Sequence, residues 1–187
     1  MSSRITDDIE LLCTHLNLTL GDTYPIEFLG RAEKMLRHDE PDDTPRILPI
    51  LESTALKNSD YEILMPDDRK GGFGFVHVDG TIPVLEFFEE DKADYNVNAA
   101  IIVTGKLDEL PVQDQNASKV YSFRKFMDDT VKAMYSFKSA NVLSVLDSDP
   151  AVFAPFTIDS TTLRYFYYPF FAFRININLE VGFKEPC

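Results

Sequence analysis

Residues 173–183 constrain the fold of this chain more than any other stretch. The apolar residues there are Phe173, Ile175, Ile177, Leu179, Val181 and Phe183. They alternate with Arg174, Asn176, Asn178, Glu180 and Gly182. Because successive side chains of a β-strand point to opposite sides, this pattern predicts a strand with one wholly apolar face. A polar second face, turned toward water or a partner, is typical of an antiparallel sheet.

Two further segments predict the core against which this strand packs. In residues 118–138 the apolar residues that repeat at spacings of three and four are Val120, Phe123, Met127, Val131 and Met134. That spacing predicts a long amphipathic helix. Residues 97–104 are apolar on both faces, which predicts a central strand. With shorter strands at 47–51, 61–65 and 75–78, the fold class is α+β: a mostly antiparallel β-sheet with one long amphipathic helix packed on it and N-terminal helices.

Two hairpins are expected within this sheet. The turn dipeptide Asp79-Gly80 predicts that residues 75–78 pair with residues 81–88. Residues 161–168 are expected to pair with the last strand across the bend at Pro169.

The first 45 residues are predicted to form a helical segment of their own. A helix over residues 5–18 is indicated by the apolar stripe Ile5, Ile9, Leu12 and Leu16. A second, weaker helix over residues 26–37 is indicated by the face Phe28, Leu29, Ala32, Met35 and Leu36. The acidic, proline-containing segment 39–45 then reads as a turn or linker. We therefore divide the chain into an N-terminal helical segment, residues 1–45, and an α+β domain, residues 46–187.

The charge of the chain bears on its partners. The 187 residues include 31 Asp and Glu against 18 Lys and Arg, which gives a net charge of −13. Specific nucleic-acid binding requires clustered positive charge that neutralises phosphates, so this composition argues against it. The same charge suits a surface past which DNA slides without adhering, although solubility alone also accounts for it.

Cysteine content and hydropathy indicate a reducing compartment without membrane contact. The two cysteines, Cys13 and Cys187, form neither a disulfide framework nor a Cys-x-x-Cys motif. The first 20 residues lack the pattern of a signal peptide. No apolar run approaches the length of a transmembrane helix.

No motif in the sequence predicts a reaction. The run Gly71-Gly72-Phe73-Gly74 lacks the Gly-Lys-Ser/Thr ending of a phosphate loop and is predicted to be a hairpin loop. His77-Val78-Asp79 brings two metal-binding residue types together, but the expected role is that of a surface histidine. Cys13 lies among leucines, which favours an inert core thiol. No catalytic residue, cofactor or metal is therefore assigned.

The aromatic cluster that precedes the last strand fits three interpretations. It is a plain core hairpin, a subunit interface in which Tyr, Phe and Arg are enriched, or a base-stacking platform. The platform ranks last because basic residues do not surround the cluster. As candidates for a subunit or partner interface we take Tyr165, Tyr167, Tyr168, Arg174, Asn176, Asn178 and Glu180.

The order of these elements resembles that of tailed-bacteriophage tail-terminator and neck (head–tail completion) proteins. The similarity lies in the strand Asn98-Ala99-Ala100-Ile101-Ile102-Val103, the long amphipathic helix, and Tyr167-Tyr168-Pro169-Phe170-Phe171-Ala172-Phe173-Arg174 before the alternating strand. It covers roughly residues 45–183 as an order of elements.

The resemblance implies a non-enzymatic virion protein, assembled in the host cytoplasm. Proteins of that kind form a ring, typically a homo-hexamer, which caps the tail tube and joins it to the head connector. DNA then passes through the ring without specific binding. Under this hypothesis, loops at residues 67–72 and 89–96 reach the tube or a neighbouring subunit.

Two alternatives from other classes remain open at this point. The first is a small metal-dependent hydrolase that uses paired carboxylates such as Asp67 and Asp68. The second is a non-catalytic cytoplasmic adaptor that binds one partner through the aromatic C-terminal hairpin.

Overall fold

The computed structural model describes residues 4–39, 44–52, 61–66, 71–79, 95–111, 119–147, 149–157 and 169–181. Within these ranges the chain forms two α-helices, α1 (Arg4–Leu20) and α2 (Lys119–Ser136). The strands are β1 (Ile26–Asp39), β2 (Thr44–Glu52), β3 (Tyr61–Ile63), β4 (Gly72–Val78), β5 (Tyr95–Lys106), β6 (Ala140–Asp147) and β7 (Phe170–Val181). Two short 3-10 helices span Leu107–Glu109 and Pro150–Phe153.

The described strands form one seven-stranded sheet in the order β3-β2-β1-β4-β5-β7-β6. All neighbouring strands are antiparallel except β1 and β4, which are parallel. The predicted α+β class with a mostly antiparallel sheet is therefore confirmed. The two helices are of similar length, 17 and 18 residues, so the single long helix of the prediction has a partner of nearly equal size.

One face of the sheet packs against both helices. The apolar residues of β7 on this face, including Phe173, Ile175 and Ile177, are fully buried, as the alternating pattern predicts. They meet the α1 stripe around Leu12 and the α2 stripe around Phe126. The neighbouring strand β5 is buried on both faces over residues 99–105, which confirms its predicted central place. The main hydrophobic core thus lies between the sheet and the two helices.

A second, smaller core lies on the opposite face of the sheet. The large side chains of this core on the sheet are Phe73, Phe75 and Ile102. They are covered by residues 149–157, the segment that contains the second 3-10 helix, whose buried members include Phe153 and Phe156. This second core covers only part of that face, and polar residues occupy the rest.

The predicted second helix over residues 26–37 is wrong, because these residues lie in strand β1. A one-residue bulge interrupts β1: Phe28 pairs with Gly74 and Arg31 pairs with Val76, so three steps on β1 match two on β4. Gly30 within the bulge has a φ of +125°, a conformation that glycine adopts readily.

The bulge also explains why the sequence of β1 resembles a helix. Leu29 and Ala32 pack in the same core although they are three residues apart. In a regular strand, residues three apart point to opposite faces. The extra residue therefore produces a helix-like spacing of apolar residues within a strand. β1 pairs with β2 across the predicted boundary at residue 45, and the predicted linker residues Asp39 and Thr44 are themselves paired.

The glycine run at 71–74 enters a strand and is not a hairpin loop, since Gly72 and Gly74 lie within β4. A Cβ on Gly72 would clash with Cδ1 of Ile26. A Cβ on Gly74 would come within 2.7 Å of Cδ1 of Phe28. The glycines thus allow the large side chains of β1 to lie directly over the backbone of β4.

The two predicted hairpin partners, residues 81–88 and 161–168, lie outside the described residues. Within the described sheet β4 is flanked by β1 and β5, and β7 is flanked by β5 and β6. The sequence leaves strand or turn open for residues 142–146, and the structure has strand β6 there.

We predict that Gly74→Ala lowers the free energy of unfolding by about 1–3 kcal/mol, because the added methyl group meets the Phe28 ring and overpacks the core. Denaturant unfolding of the purified variant measures the change. Gly71→Ala is the matched control: no atom lies within 4 Å of its Cβ position, so its effect should stay within about 0.5 kcal/mol. Equal effects at both positions would contradict the packing argument.

Candidate functional site

A polar group lies beside the second core and includes His77 on β4. This histidine is only 2% exposed, so the expectation of a surface histidine is wrong. Its ring packs edge-on against Phe156, with ring centroids 5.0 Å apart. Nε2 lies 3.3 Å from Oδ1 of Asp79. Among the described groups, neither ring nitrogen has a well-aligned hydrogen-bond partner.

Arg174 on β7 joins this group from two strands away. Its guanidinium donates to Oδ2 of Asp79 at 2.7 Å and to Oδ1 of Asn176 at 2.6 Å. It also donates to the backbone carbonyl of Ala154. The register places Arg174 opposite Ile102 of β5, on the face that carries the second core. One arginine therefore ties β4 and β7 to the covering segment 149–157.

Burial determines the charge states within this cluster. It lowers the pKa of His77 to about 4; the Asp79 carboxylate opposes the shift, whereas Lys34 and Arg174 add to it. The imidazole is therefore neutral at pH 7. Burial also lowers the pKa of Arg174, again opposed by Asp79, but a guanidinium remains charged in proteins. The cluster is thus a neutral histidine beside a partly buried ion pair. Its bonds hold β7 to the end of β4 and to the covering segment.

The described residues offer no site of metal-binding composition. No three His, Cys, Asp or Glu side chains within them are close enough together to hold a metal ion. The positive charge of Arg174 also disfavours a cation beside His77 and Asp79. Asp67 and Asp68, on which the hydrolase alternative depends, lie outside the described residues.

A second polar cluster joins α2 to the segment after α1. The hydroxyl of Tyr24 donates to Oδ2 of Asp129 at 2.7 Å, and Lys125 donates to the same oxygen at 2.8 Å. Burial raises the pKa of Tyr24, and the Asp129 carboxylate adds to this. Burial opposes ionisation of Asp129, but hydrogen bonds from Lys125, Tyr24 and Lys132 hold its pKa below the usual value.

An open cavity of about 290 Å³ lies next to this second cluster. Its polar lining includes Thr19, Thr23 and Ser136. The Asp129 carboxylate at its wall is already engaged by a tyrosine and two lysines. The cluster therefore serves to hold α2 against the segment that follows α1.

Cys13 has the inert core role that the sequence predicts. It is 4% exposed within the helix-side core. Burial raises the pKa of its thiol to about 12, which leaves almost no thiolate at pH 7.

The predicted interface residues of β7 differ in their surroundings. Arg174 is buried and bonded within the chain, Asn176 and Asn178 are half-buried, and Glu180 is exposed. All four lie on the face that carries the second core, since they alternate with the residues that face the helices. Tyr165, Tyr167 and Tyr168 lie outside the described residues. A role of these seven residues in an interface stays a prediction.

Sequence reasoning missed the apolar side chains that are exposed at the ends of the sheet. On β6, Leu143 is 61% and Val145 is 37% exposed. On β3, Tyr61 is 47% exposed. β6 and β3 are the outermost described strands on either side. The only signal in the sequence was the uncharged run 139–146, whose place at the edge depends on the strand order.

No protein-family model matches this chain, and no curated protein matches it. No described helix combines the length and hydropathy needed to cross a membrane. Inference about function therefore depends on the surfaces of the molecule itself.

We predict that the free energy of unfolding falls by about 3 kcal/mol as the pH is lowered from 6.5 to 4, because the unfolded chain binds a proton at His77 that the folded chain rejects. The sign follows from the depressed pKa: stability is complete above pH 6.5 and the loss is complete below pH 4. Urea unfolding across this range measures it.

The variant His77→Gln tests the origin of this pH dependence, because glutamine is polar and does not titrate. Its unfolding free energy should vary less between pH 6.5 and 4 than that of the wild type, whatever its absolute stability. An unchanged slope in His77→Gln would assign the dependence to other groups.

We further predict that Asp79→Asn lowers the free energy of unfolding by about 1–3 kcal/mol, because the buried guanidinium of Arg174 loses a charged partner. The double variant Asp79→Asn/Arg174→Met should be less destabilised than the sum of the two single variants. Strict additivity in this double-mutant cycle would show that the pair is not coupled.

Proposed function

We propose that this protein is a virion structural protein, a tail-terminator or neck ring subunit of a tailed bacteriophage. In this role it caps the tail tube, joins the tube to the head connector and leaves a channel for DNA. Its partners are further copies of itself, in a ring that we expect to be a homo-hexamer, and the proteins of the tube and the connector. It acts without catalysis, cofactor or metal, in a virion assembled in the host cytoplasm.

The observation that carries this proposal is the pair of unlike ends of the sheet formed by the described strands. One end presents Leu143 and Val145 of β6, and the other presents Tyr61 of β3. Closed rings are built from heterologous contacts, in which two different surfaces of the same subunit meet head to tail. A sheet with two different, partly apolar ends supplies such a pair of surfaces.

The outer part of β1 and β2 supports the same proposal. β1 pairs with β4 only as far as Ala32, whereas its pairing with β2 continues to Asp39. Within the described part of the chain, the two strands therefore form an arm that extends past β4. Leu36 on this arm is 62% exposed, which suits contact with a tube protein or a neighbouring subunit.

The net charge of −13 agrees with a conduit for DNA. Phosphates are repelled by a surface with excess carboxylates, so DNA passes such a surface without adhering. This support is weaker than that from the sheet ends, since acidity also serves solubility.

The mass of the purified protein in solution tests the proposal. We predict an assembly of about six times the chain mass of 21.3 kDa by size-exclusion chromatography with light scattering. Negative-stain images should show closed rings with an opening wider than duplex DNA. A strict monomer at high protein concentration that also forms no ring on purified tail tubes would contradict the proposal.

A further inference from the structure

We propose that residues 149–157, the covering segment, open from the sheet in acid and that His77 beneath them is the trigger. The covering segment lies over the second core, so its opening exposes apolar side chains that the closed chain buries. This is a conformational change within one chain. It stands or falls independently of the proposed ring.

Polar bonds attach the covering segment to two strands of the sheet. The backbone carbonyl of Ala154 accepts from the guanidinium of Arg174 on β7. At the end of the segment, the N–H of Thr157 donates to the carbonyl of Ile47 on β2 at 2.8 Å. The hydroxyl of Thr157 also accepts from the N–H of Ile47 at 2.9 Å. The first of these attachments belongs to the cluster that contains His77.

Backbone hydrogen bonds within the covering segment make it a unit of its own. The N–H groups of Val152, Ala154 and Phe156 each donate to the carbonyl three residues earlier. The side chain of Asp149 accepts from the N–H of Ala151 and so caps the 3-10 helix. The covering segment can therefore leave the sheet without breaking a pair between neighbouring strands, as a local opening.

His77 lies directly beneath this segment. The residues opposite it on the neighbouring strands are Ala32 of β1 and Ala100 of β5, whose side chains are short. The ring of Phe156 packs edge-on against the imidazole, with ring centroids 5.0 Å apart. Among the described residues, the covering segment therefore supplies the large side chain that keeps water from His77.

The charged groups that the structure describes around His77 come from three strands or their ends. Asp79, just after β4, favours the protonated ring, whereas Lys34 of β1 and Arg174 of β7 disfavour it. Asp79 is shared, since Oδ1 lies 3.3 Å from Nε2 of His77 while Oδ2 accepts from Arg174 at 2.7 Å. β5 and the covering segment place uncharged side chains beside the ring. Protonation of His77 therefore adds a further positive charge around one carboxylate.

Opening removes the burial that opposes protonation. Burial lowers the pKa of His77 to about 4 in the closed chain. Where water reaches the ring, we expect the pKa to approach the ordinary value of about 6.5. The open state then binds a proton that the closed state rejects, so the opening equilibrium constant rises as the pH falls through 6.5 and levels off below pH 4. For these two pKa values, the constant is about 30-fold larger at pH 5 than at pH 8.

Hydrogen–deuterium exchange followed by mass spectrometry tests the proposal on the wild-type chain. Protection in peptides that cover residues 149–157, corrected for the intrinsic exchange rate at each pH, reports the opening. We expect this protection to fall about 30-fold between pH 8 and pH 5 and to stay well below that of β5 and β7. Protection equal to that of β5 and β7 would mean that the segment opens only with the whole fold. That result, or a low protection that does not change with pH, would overturn the inference.

The shape of the pH profile identifies the trigger. Protonation of His77 makes the loss of protection begin near pH 6.5, whereas carboxylates would make it begin below about pH 5. In folded His77→Gln the 30-fold change should disappear, because glutamine does not titrate. A wild-type profile that begins below pH 5 contradicts the inference without any variant, as does an unchanged response in His77→Gln.

The variant Phe156→Ala tests the role of the cover directly. With the ring removed, water reaches the imidazole, so the pKa of His77 should rise from about 4 toward 6.5. Nuclear magnetic resonance titration measures this pKa. The chain has three histidines, and the signal that is missing in His77→Gln identifies His77. An unchanged pKa in the folded Phe156→Ala variant would show that the covering segment does not control protonation.

Discussion

The contact between the apolar face of β7 and the two helices is the interaction on which the rest of the structure depends. Full burial of a large aliphatic or aromatic side chain contributes about 1.5–3 kcal/mol, and β7 buries a continuous row of them. This contact fixes β7 beside β5 in a register of twelve pairs, from Tyr95 with Val181 to Lys106 with Phe170. Once that register is set, every residue of β7 that alternates with the apolar row faces the other side. The positions of Arg174 beside Asp79, and of Asn176 and Asn178 beside β6, therefore follow from the packing of the apolar face against the helices.

The opposite face is divided between a core and a polar surface, and Arg174 stands at the division. On one side of it, Phe75 and Ile102 are covered by residues 149–157. On the other side lie Asn176 and Asn178, which are only half-buried. An arginine suits this position because its apolar stem packs along the sheet while its planar head satisfies several acceptors at once. By bonding the Ala154 carbonyl, it attaches the covering segment to the sheet at the point where the apolar contacts end.

Sequence periodicity predicted the elements whose pattern is regular and failed where the pattern is interrupted. β7, α1 and α2 each carry an unbroken repeat of two or of three to four residues, β5 is apolar on both faces, and all four form where these patterns predict. β1 was misassigned because the bulge at Gly30 changes the face on which its apolar residues lie.

The burial of His77 depends on Phe156, which is far away in the chain, so no local pattern of residues predicts that burial. The glycines of β4 mark close approach of Ile26 and Phe28, a contact that requires knowledge of which strands are neighbours. In the cluster, the sequence identified Asp79 and Arg174 separately and gave no reason to bring them together.

The same limit applies to the surfaces that concern function, since exposure is a property of strand order. Residues 139–146 form an uncharged run in which an apolar residue is as easily explained by a core as by an interface. The structure distinguishes the two because β6 is the outermost described strand on its side. There the side chain of Leu143 remains 61% exposed. An exposed aliphatic edge is a liability for a monomer, because it invites uncontrolled pairing with other chains. In the proposed ring, a neighbouring subunit would cover such an exposed strand and so prevent uncontrolled pairing. Under the same proposal, the net charge of −13 disfavours contacts between copies through carboxylate-rich surfaces and favours contact through an uncharged strand.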